Sequence, residues 1–285
     1  MIIFWVLKNL DYNKIVYHLQ KADNRILIFV LVLASSQILF SCSRFYFFLR
    51  ASNEAIAFSK CFNAVVHAFS LNSLIPGKGG ELVKAMFLTN EKEKLIRFTA
   101  VTFIERLVDL CVLSVFLFIG ALLTQDFFWQ LVSLGGLVFF GGLILSIDYA
   151  KKIPLIGSKL SSLQNILPAL KCNTKYLLAA IGSSFTIWTI NIVIINLLMA
   201  SAQFEVSVDK TIANWPKAIL AGIIPISLSG FGTRDAAFVY FLGDSFENTK
   251  IFAATFMYTF FMYWYLSLLA FLILGIKGTK KLRAR

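Results

Sequence analysis

The sequence predicts an all-α, polytopic integral membrane protein with about five full spans and two broken, re-entrant helical segments. Three observations carry this reading. Of the 285 residues, 58% are hydrophobic, mean hydropathy is +0.77, and only 15% are charged, against about 25% in soluble domains. Apolar runs near the ~20-residue length of a span recur along the chain. Two polar, Gly- and Pro-containing stretches interrupt otherwise apolar regions, where irregular backbone survives only if protein or a wet cavity satisfies it.

In chain order, residues 1–25 read as an N-terminal interfacial segment. Lys8, Asp11, Lys14 and Lys21 interrupt its apolar residues, and no small-residue cleavage site follows. Full spans are expected near 26–48, 98–123, 127–147, 176–200 and 250–275, within one membrane domain covering 26–276. The regions 56–90 and 210–243 each read as two half-helices joined at a break, the first at Pro76 and the second at Pro225. Residues 277–285 form a basic tail.

Charge supplies an orientation. Lys151, Lys152, Lys159, Lys171 and Lys175 crowd one loop, and Lys277, Lys280, Lys281, Arg283 and Arg285 crowd the tail. The positive-inside rule places both, with 76–97, in the cytoplasm, and 124–126, 201–210 and 243–250 outside. If Arg44, Arg50 and Lys60 are cytoplasmic as well, 56–90 also turns back within the membrane, and residues 1–25 fall outside. The two broken segments then enter from opposite sides, the arrangement of an inverted repeat. Ile75-Pro76 followed by Gly79-Gly80-Glu81 faintly matches Ile224-Pro225 followed by Gly230-Phe231-Gly232-Thr233-Arg234-Asp235.

Several function classes drop out. The net charge of +12 collects in loops beside apolar spans, which anionic headgroups explain better than nucleic acid. Cys42, Cys61, Cys111 and Cys172 lack metal or disulfide spacing, His18 and His67 stand alone, and no P-loop occurs. Neither a metal, a cofactor nor a catalytic residue is therefore assigned.

The candidate site residues lie at the breaks and in the second span. Glu105, Arg106 and Asp109 share an arc of about 100° on a helix. Each buried charge costs about 2.5–3.5 kcal/mol, while the neighbouring Leu, Ile, Val and Phe return about 5–10 kcal/mol in total. Insertion is close to balanced, so the charges need partners or water. The alternatives are a cavity-facing triad and an internal Arg106–Asp109 pair with Glu105 near the interface. After the first break, Gly77, Gly79, Gly80 and Lys84 offer a phosphate-binding surface. Helix capping by Glu81 and snorkelling by Lys84 are the plainer alternatives. After the second break, Arg234 can meet a lipid phosphate bidentately, Asp235 can pair with it at a helix start, and Gly230 and Gly232 loosen the turn. Ser227, Ser229 and Thr233 replace missing backbone hydrogen bonds. Trp188, Tyr258 and Tyr263 read as anchors or packing, and Asn191 as interhelical glue.

On these residues the chain resembles the transmembrane, flippase-like domain of the lysylphosphatidylglycerol synthase family. The matching stretches are Pro76–Lys84, Glu105-Arg106-Leu107-Val108-Asp109 and Pro225–Asp235. Phe231 stands where that family usually has glycine, and Asp235 where it has glutamate. No aminoacyltransferase domain accompanies the likeness. The resemblance implies a multi-pass protein of the cell membrane that translocates a phospholipid or a polyprenyl-phosphate-linked molecule. Membrane lipids with anionic headgroups would be its partners, beside a further copy or a separate lipid-modifying enzyme. A membrane-embedded transferase on a lipid carrier and a non-catalytic subunit of a lipid-modifying or glycosylation system are the alternatives.

Overall fold

Two 28-residue helices, α2 (Asn24–Ala51) and α7 (Thr174–Ser201), form the spine. Each is about 42 Å long at 1.5 Å per residue. They lie antiparallel: Gln37 Nε2 donates to Ile187 O at 3.3 Å near both midpoints, and Asn173 Nδ2 donates to Ala51 O at 3.1 Å at the end. The computed structural model describes residues 11–73, 75–146, 166–224, 227 and 230–283, with main chain alone at 76–79, 81–82 and 277–283. The other elements are α1 (Tyr12–Gln20), α3 (Phe58–Asn72), a 3-10 segment (Pro76–Phe87), α4 (Lys92–Leu123), α5 (Phe127–Ser146), α6 (Ile166–Cys172), α8 (Val208–Ile223), α9 (Thr233–Leu242), α10 (Asn248–Thr259), a π-helical segment (Phe260–Tyr265) and α11 (Leu266–Arg283). Spans long and apolar enough to cross a membrane are α2, α4, α5, α7 and the continuous stretch Asn248–Ile276.

The spine exposes an internal repeat displaced by 150 residues, the separation of the bonded pair Gln37 and Ile187. Along 34–42 and 184–192 the buried and exposed positions coincide. Asn53 and Gln203 end the two helices with positive φ, 63° and 61°. Glu54 N then bonds Leu49 O, as Phe204 N bonds Met199 O. α3 and α8 start at matching positions. Because equivalent helices run antiparallel, the repeats are inverted.

Each break folds back on the arm before it. His67 stacks on Phe87 at 4.2 Å, and a side chain at Gly80 would meet Asn72 Oδ1 at 2.6 Å, so α3 and the 3-10 segment form one hairpin. Trp215 meets Phe238 edge-on at 4.9 Å, which pairs α8 with α9 in the second hairpin. The return arm of the first hairpin is 3-10 rather than the expected α-helical half-helix. The last span of each half packs on the outer arm of the other half's hairpin, α4 on α8 and α11 on α3.

Loops therefore sort onto two faces. Arg97 pairs with Glu54 at 2.7 Å, joining 52–57 and 88–97 on one face. Phe204 packs on Phe246, joining 202–207 and 243–247 on the other, where the 124–126 turn also lies. Asp11 caps α1 by accepting from Asn13 N at 3.0 Å. That helix docks on α10 through Lys14 and Glu247, 3.6 Å apart, and so shares the second face. Tyr12, Val16 and Tyr17 are exposed on it, as an interfacial helix requires. The two hairpins enter from opposite faces. Of the 149–176 loop with its five lysines, residues 149–165 lie outside the described residues.

Candidate functional site

Where the spine helices cross at mid-length, they leave a polar cavity of about 40 Å³. Gln37, Ser41 and Arg44 from α2 line it at i, i+4 and i+7, one face of a helix. Ile187, Trp188 and Asn191 face them from α7, and Tyr258, Met262 and Tyr263 close it from the final span. Two repeat-equivalent pairs line the cavity: Gln37 with Ile187, and Ser41 with Asn191. It therefore sits at the junction of the halves. The π-helical segment begins just after Tyr258 and Thr259. Such segments concentrate at functional sites.

The first half supplies a network of charges. Arg44, 2% exposed, donates through Nε to Glu105 Oε1 at 2.8 Å and through Nη1 to Asp109 Oδ1 at 2.7 Å. Lys84 Nζ bonds Glu105 Oε2 and lies 4.2 Å from the centre of the Phe45 ring. Arg106 approaches Glu105 at 3.5 Å and Asp109 at 3.6 Å, and Trp188 Nε1 donates to Asp109 at 3.0 Å. Among the described side chains, Arg44, Lys84 and Arg106 thus converge on Glu105 and Asp109. Of the described network residues that line the cavity, Arg106 is the most exposed, at 20% of its side chain, against 10% for Asp109 and 2% for Arg44.

Both sequence alternatives for the second span thus need amendment. Glu105 is fully buried rather than interfacial, and Arg106 and Asp109 do line the cavity. Lys84 does not snorkel; it turns inward to Glu105. Arg44 is corrected most. Its sequence neighbourhood suggests a cytoplasmic flank, yet it lies inside the bundle, because a buried helix can carry a guanidinium where two carboxylates meet it. The signal was present in the i, i+4, i+7 run of Gln37, Ser41 and Arg44, a polar stripe on an apolar span.

The second half arranges its charges locally. Arg234 Nη2 bonds Asp235 Oδ1 at 2.8 Å and also Thr259 Oγ1. Its guanidinium lies 4.9 Å from the Tyr258 ring and 5.6 Å from Tyr263. Asp235 Oδ2 accepts from Gly232 N at 2.9 Å and so caps α9. Gly230 and Gly232 adopt φ of 73° and 87°, conformations open to glycine without strain. Ser227 Oγ and Thr233 Oγ1 lie 2.7 Å apart across the turn. Arg234 stands one layer behind the cavity wall, with Tyr258 and Tyr263 between. Tyr258 OH donates to Asn191 Oδ1. Trp188, Asn191, Tyr258 and Tyr263, expected as packing, are wall residues.

Some expected residues do not reach the cavity. Gly80 is pressed on Ala68 and Asn72, a close-packing role rather than ligand contact. Gly77 and Gly79 lie in the 3-10 segment that carries Lys84 inward. Pro76 opens that segment at its first turn, where a missing N–H costs nothing. The Glu81 side chain, Pro225 and Ser229 lie outside the described residues.

A family model described as the lysylphosphatidylglycerol synthase TM region matches residues 1–270. The chain is also 26% identical over 207 residues to the UPF0104 membrane protein MJ1078 of Methanocaldococcus jannaschii. That match covers 68% of this chain and 88% of the archaeal protein.

Proposed function

The chain belongs to the lysylphosphatidylglycerol synthase transmembrane family, an integral membrane and lipid-related one, and from that premise we propose that it moves a phosphate-bearing lipid headgroup between leaflets. One observation carries this reading: a network of buried charges borders a polar cavity between two inverted halves. A phosphate is the complement of the guanidinium groups on that border. Arg106 would meet it first, since its side chain is 20% exposed and those of Arg44 and Lys84 are 2% exposed. Arg234 would act from behind the aromatic wall. Acyl chains would stay in lipid.

The cavity size sets a requirement. About 40 Å³ holds a few water molecules, each needing roughly 10–15 Å³ by the same measure, and no headgroup. The described conformation is therefore closed, and transport needs it to widen toward one face at a time. Inverted halves supply the two openings: exchanging the conformations of the halves turns an inward opening into an outward one. Direction follows only from differential binding to the two states.

The test is leaflet-resolved movement of labelled phospholipid in proteoliposomes. Wild type should exceed both Arg106→Ala and Arg234→Ala, with the larger loss at Arg106. Equal rates in all three would remove the reading.

A further inference from the structure

A second concavity, of about 540 Å³, opens on the outer surface between the second hairpin and Trp129. This volume is within the roughly 300–1,000 Å³ of ligand pockets. It runs between α8 and α9 for about 10 Å, the length of seven helical residues from Lys217 to Ile224. Its walls are apolar and kept low by Ala221, Ala236 and Ala237, and its rim residues Tyr240 and Ile224 are exposed. At one end it reaches Ile224 and Thr233 beside the helix break, and Arg234, the residue after Thr233, does not line it.

The other end carries charge. Lys217 Nζ lies 4.8 Å from the Trp129 ring and 5.3 Å from Phe241, and 3.7 Å from Asp126 Oδ2 in the 124–126 turn. Lys217 is the one charged residue lining this groove among the described residues. Asp126 is partly exposed, at 36% of its side chain. A cation and an anion side by side, at the loop end of a narrow apolar trough, match a headgroup that carries both signs.

We infer that this groove holds one acyl chain of an amine-bearing zwitterionic phospholipid, its phosphate on Lys217 and its ammonium on Asp126. A purely anionic headgroup would leave the neutral Lys217–Asp126 pair with an uncompensated negative charge. A quaternary ammonium cannot donate hydrogen bonds to Asp126. The lipid comes from the leaflet on the face of the 124–126 turn, and its chain ends beside the second hairpin's break. This inference rests on the lipid-moving reading for its purpose, since it supplies a loading position next to the cavity.

Trp129 is a built-in reporter. The full chain is reconstituted in phosphatidylcholine vesicles doped with phosphatidylethanolamine or phosphatidylglycerol brominated on the acyl chains. Quenching assigned to Trp129 is the difference from Trp129→Phe. Brominated phosphatidylethanolamine should quench at lower doping than phosphatidylglycerol. Lys217→Gln should weaken apparent binding of both about tenfold, the equivalent of one charge-assisted contact. Asp126 also starts α5, where its Oδ1 accepts from Trp129 N at 3.3 Å; Asp126→Asn, which keeps that cap, should erase only the preference for the amine. Ala237→Phe, which fills the trough, should abolish quenching while the protein stays monodisperse. Equal quenching by both lipids, or quenching that survives Ala237→Phe, would overturn the assignment. Quenching without translocation by wild type would instead strike the transport reading and leave the groove standing.

Discussion

Lys84 and Arg234 occupy the same place in the two inverted halves, each on the return arm of a hairpin and each buried, yet they are held differently. Lys84 reaches out of its hairpin to Glu105 on the next span, where Arg44 and Arg106 also converge. Arg234 takes its carboxylate from the adjacent Asp235, meets the last span through the neutral Thr259 hydroxyl, and is enclosed by Tyr258, Tyr263 and Trp215. The first half thus ties hairpin to span through a charge pair, and the second through a hydroxyl and aromatic faces, with its carboxylate kept in the turn. The difference separates two tasks. A network of several cations and carboxylates can exchange a partner for a ligand; a cation paired with its neighbour behind a wall can move with its hairpin as a unit.

The largest expected break in this comparison is Glu105→Gln. It leaves Arg44 and Lys84 buried against one fewer charge, a loss of about 3–5 kcal/mol for a broken buried pair. Thermal unfolding in detergent should show a large fall in midpoint, whereas Asp235→Asn, which can still accept from Gly232 N through its one amide oxygen and gives up the Arg234 contact alone, should fall less. Comparable losses would mean that the halves carry charge in the same way.

Next in size is the turn itself. Gly232→Ala forces a side chain into φ of 87° at about 1–2 kcal/mol. Stability should drop by that amount, with hydrogen exchange quickening first in α9. A uniform increase across both hairpins would deny that the second turn is a local unit.

A smaller effect is expected from exchanging the cations. Arg234→Lys keeps the charge but loses the planar stack on the tyrosines, worth about 0.5–2 kcal/mol. Lys84→Arg must fit a larger group beside Phe45, and should disturb translocation more than stability. The comparison sharpens if the first exchange lowers the unfolding midpoint and the second lowers the transport rate.

The smallest concerns α1. Thr249 donates to Glu247 at 2.7 Å, and with nearby Lys14 this holds the Glu247 carboxyl below the usual glutamate range. A depressed carboxylate contributes stability above its unfolded value of about 4.3 and loses it as pH falls through its folded value. Exchange in α1 should therefore quicken between about pH 5 and pH 3, and Glu247→Gln should flatten that response.

Much of this was legible without coordinates. The five spans, both breaks and the opposite entry sides of the broken segments follow from run length and loop charge, and Lys84, Glu105, Arg106 and Asp109 were marked by the cost of burying them. Arg44 escaped because a positive residue near a span end reads as an interfacial charge. Trp188, Asn191 and Tyr258 escaped because packing explains such residues until their polar atoms find partners.

What the sequence by itself determined is which groups cannot rest in hydrocarbon, since solvation cost attaches to the residue wherever it sits. The tertiary structure alone decided which of them meet. Arg44 bonds Glu105 from 61 positions away, and Trp188 reaches Asp109 across 79. Helical spacing tells which face a side chain shares, but partners on different helices depend on the crossing and register of the spine. The same crossing leaves about 40 Å³ between the halves, a closed volume that no local pattern in the chain encodes.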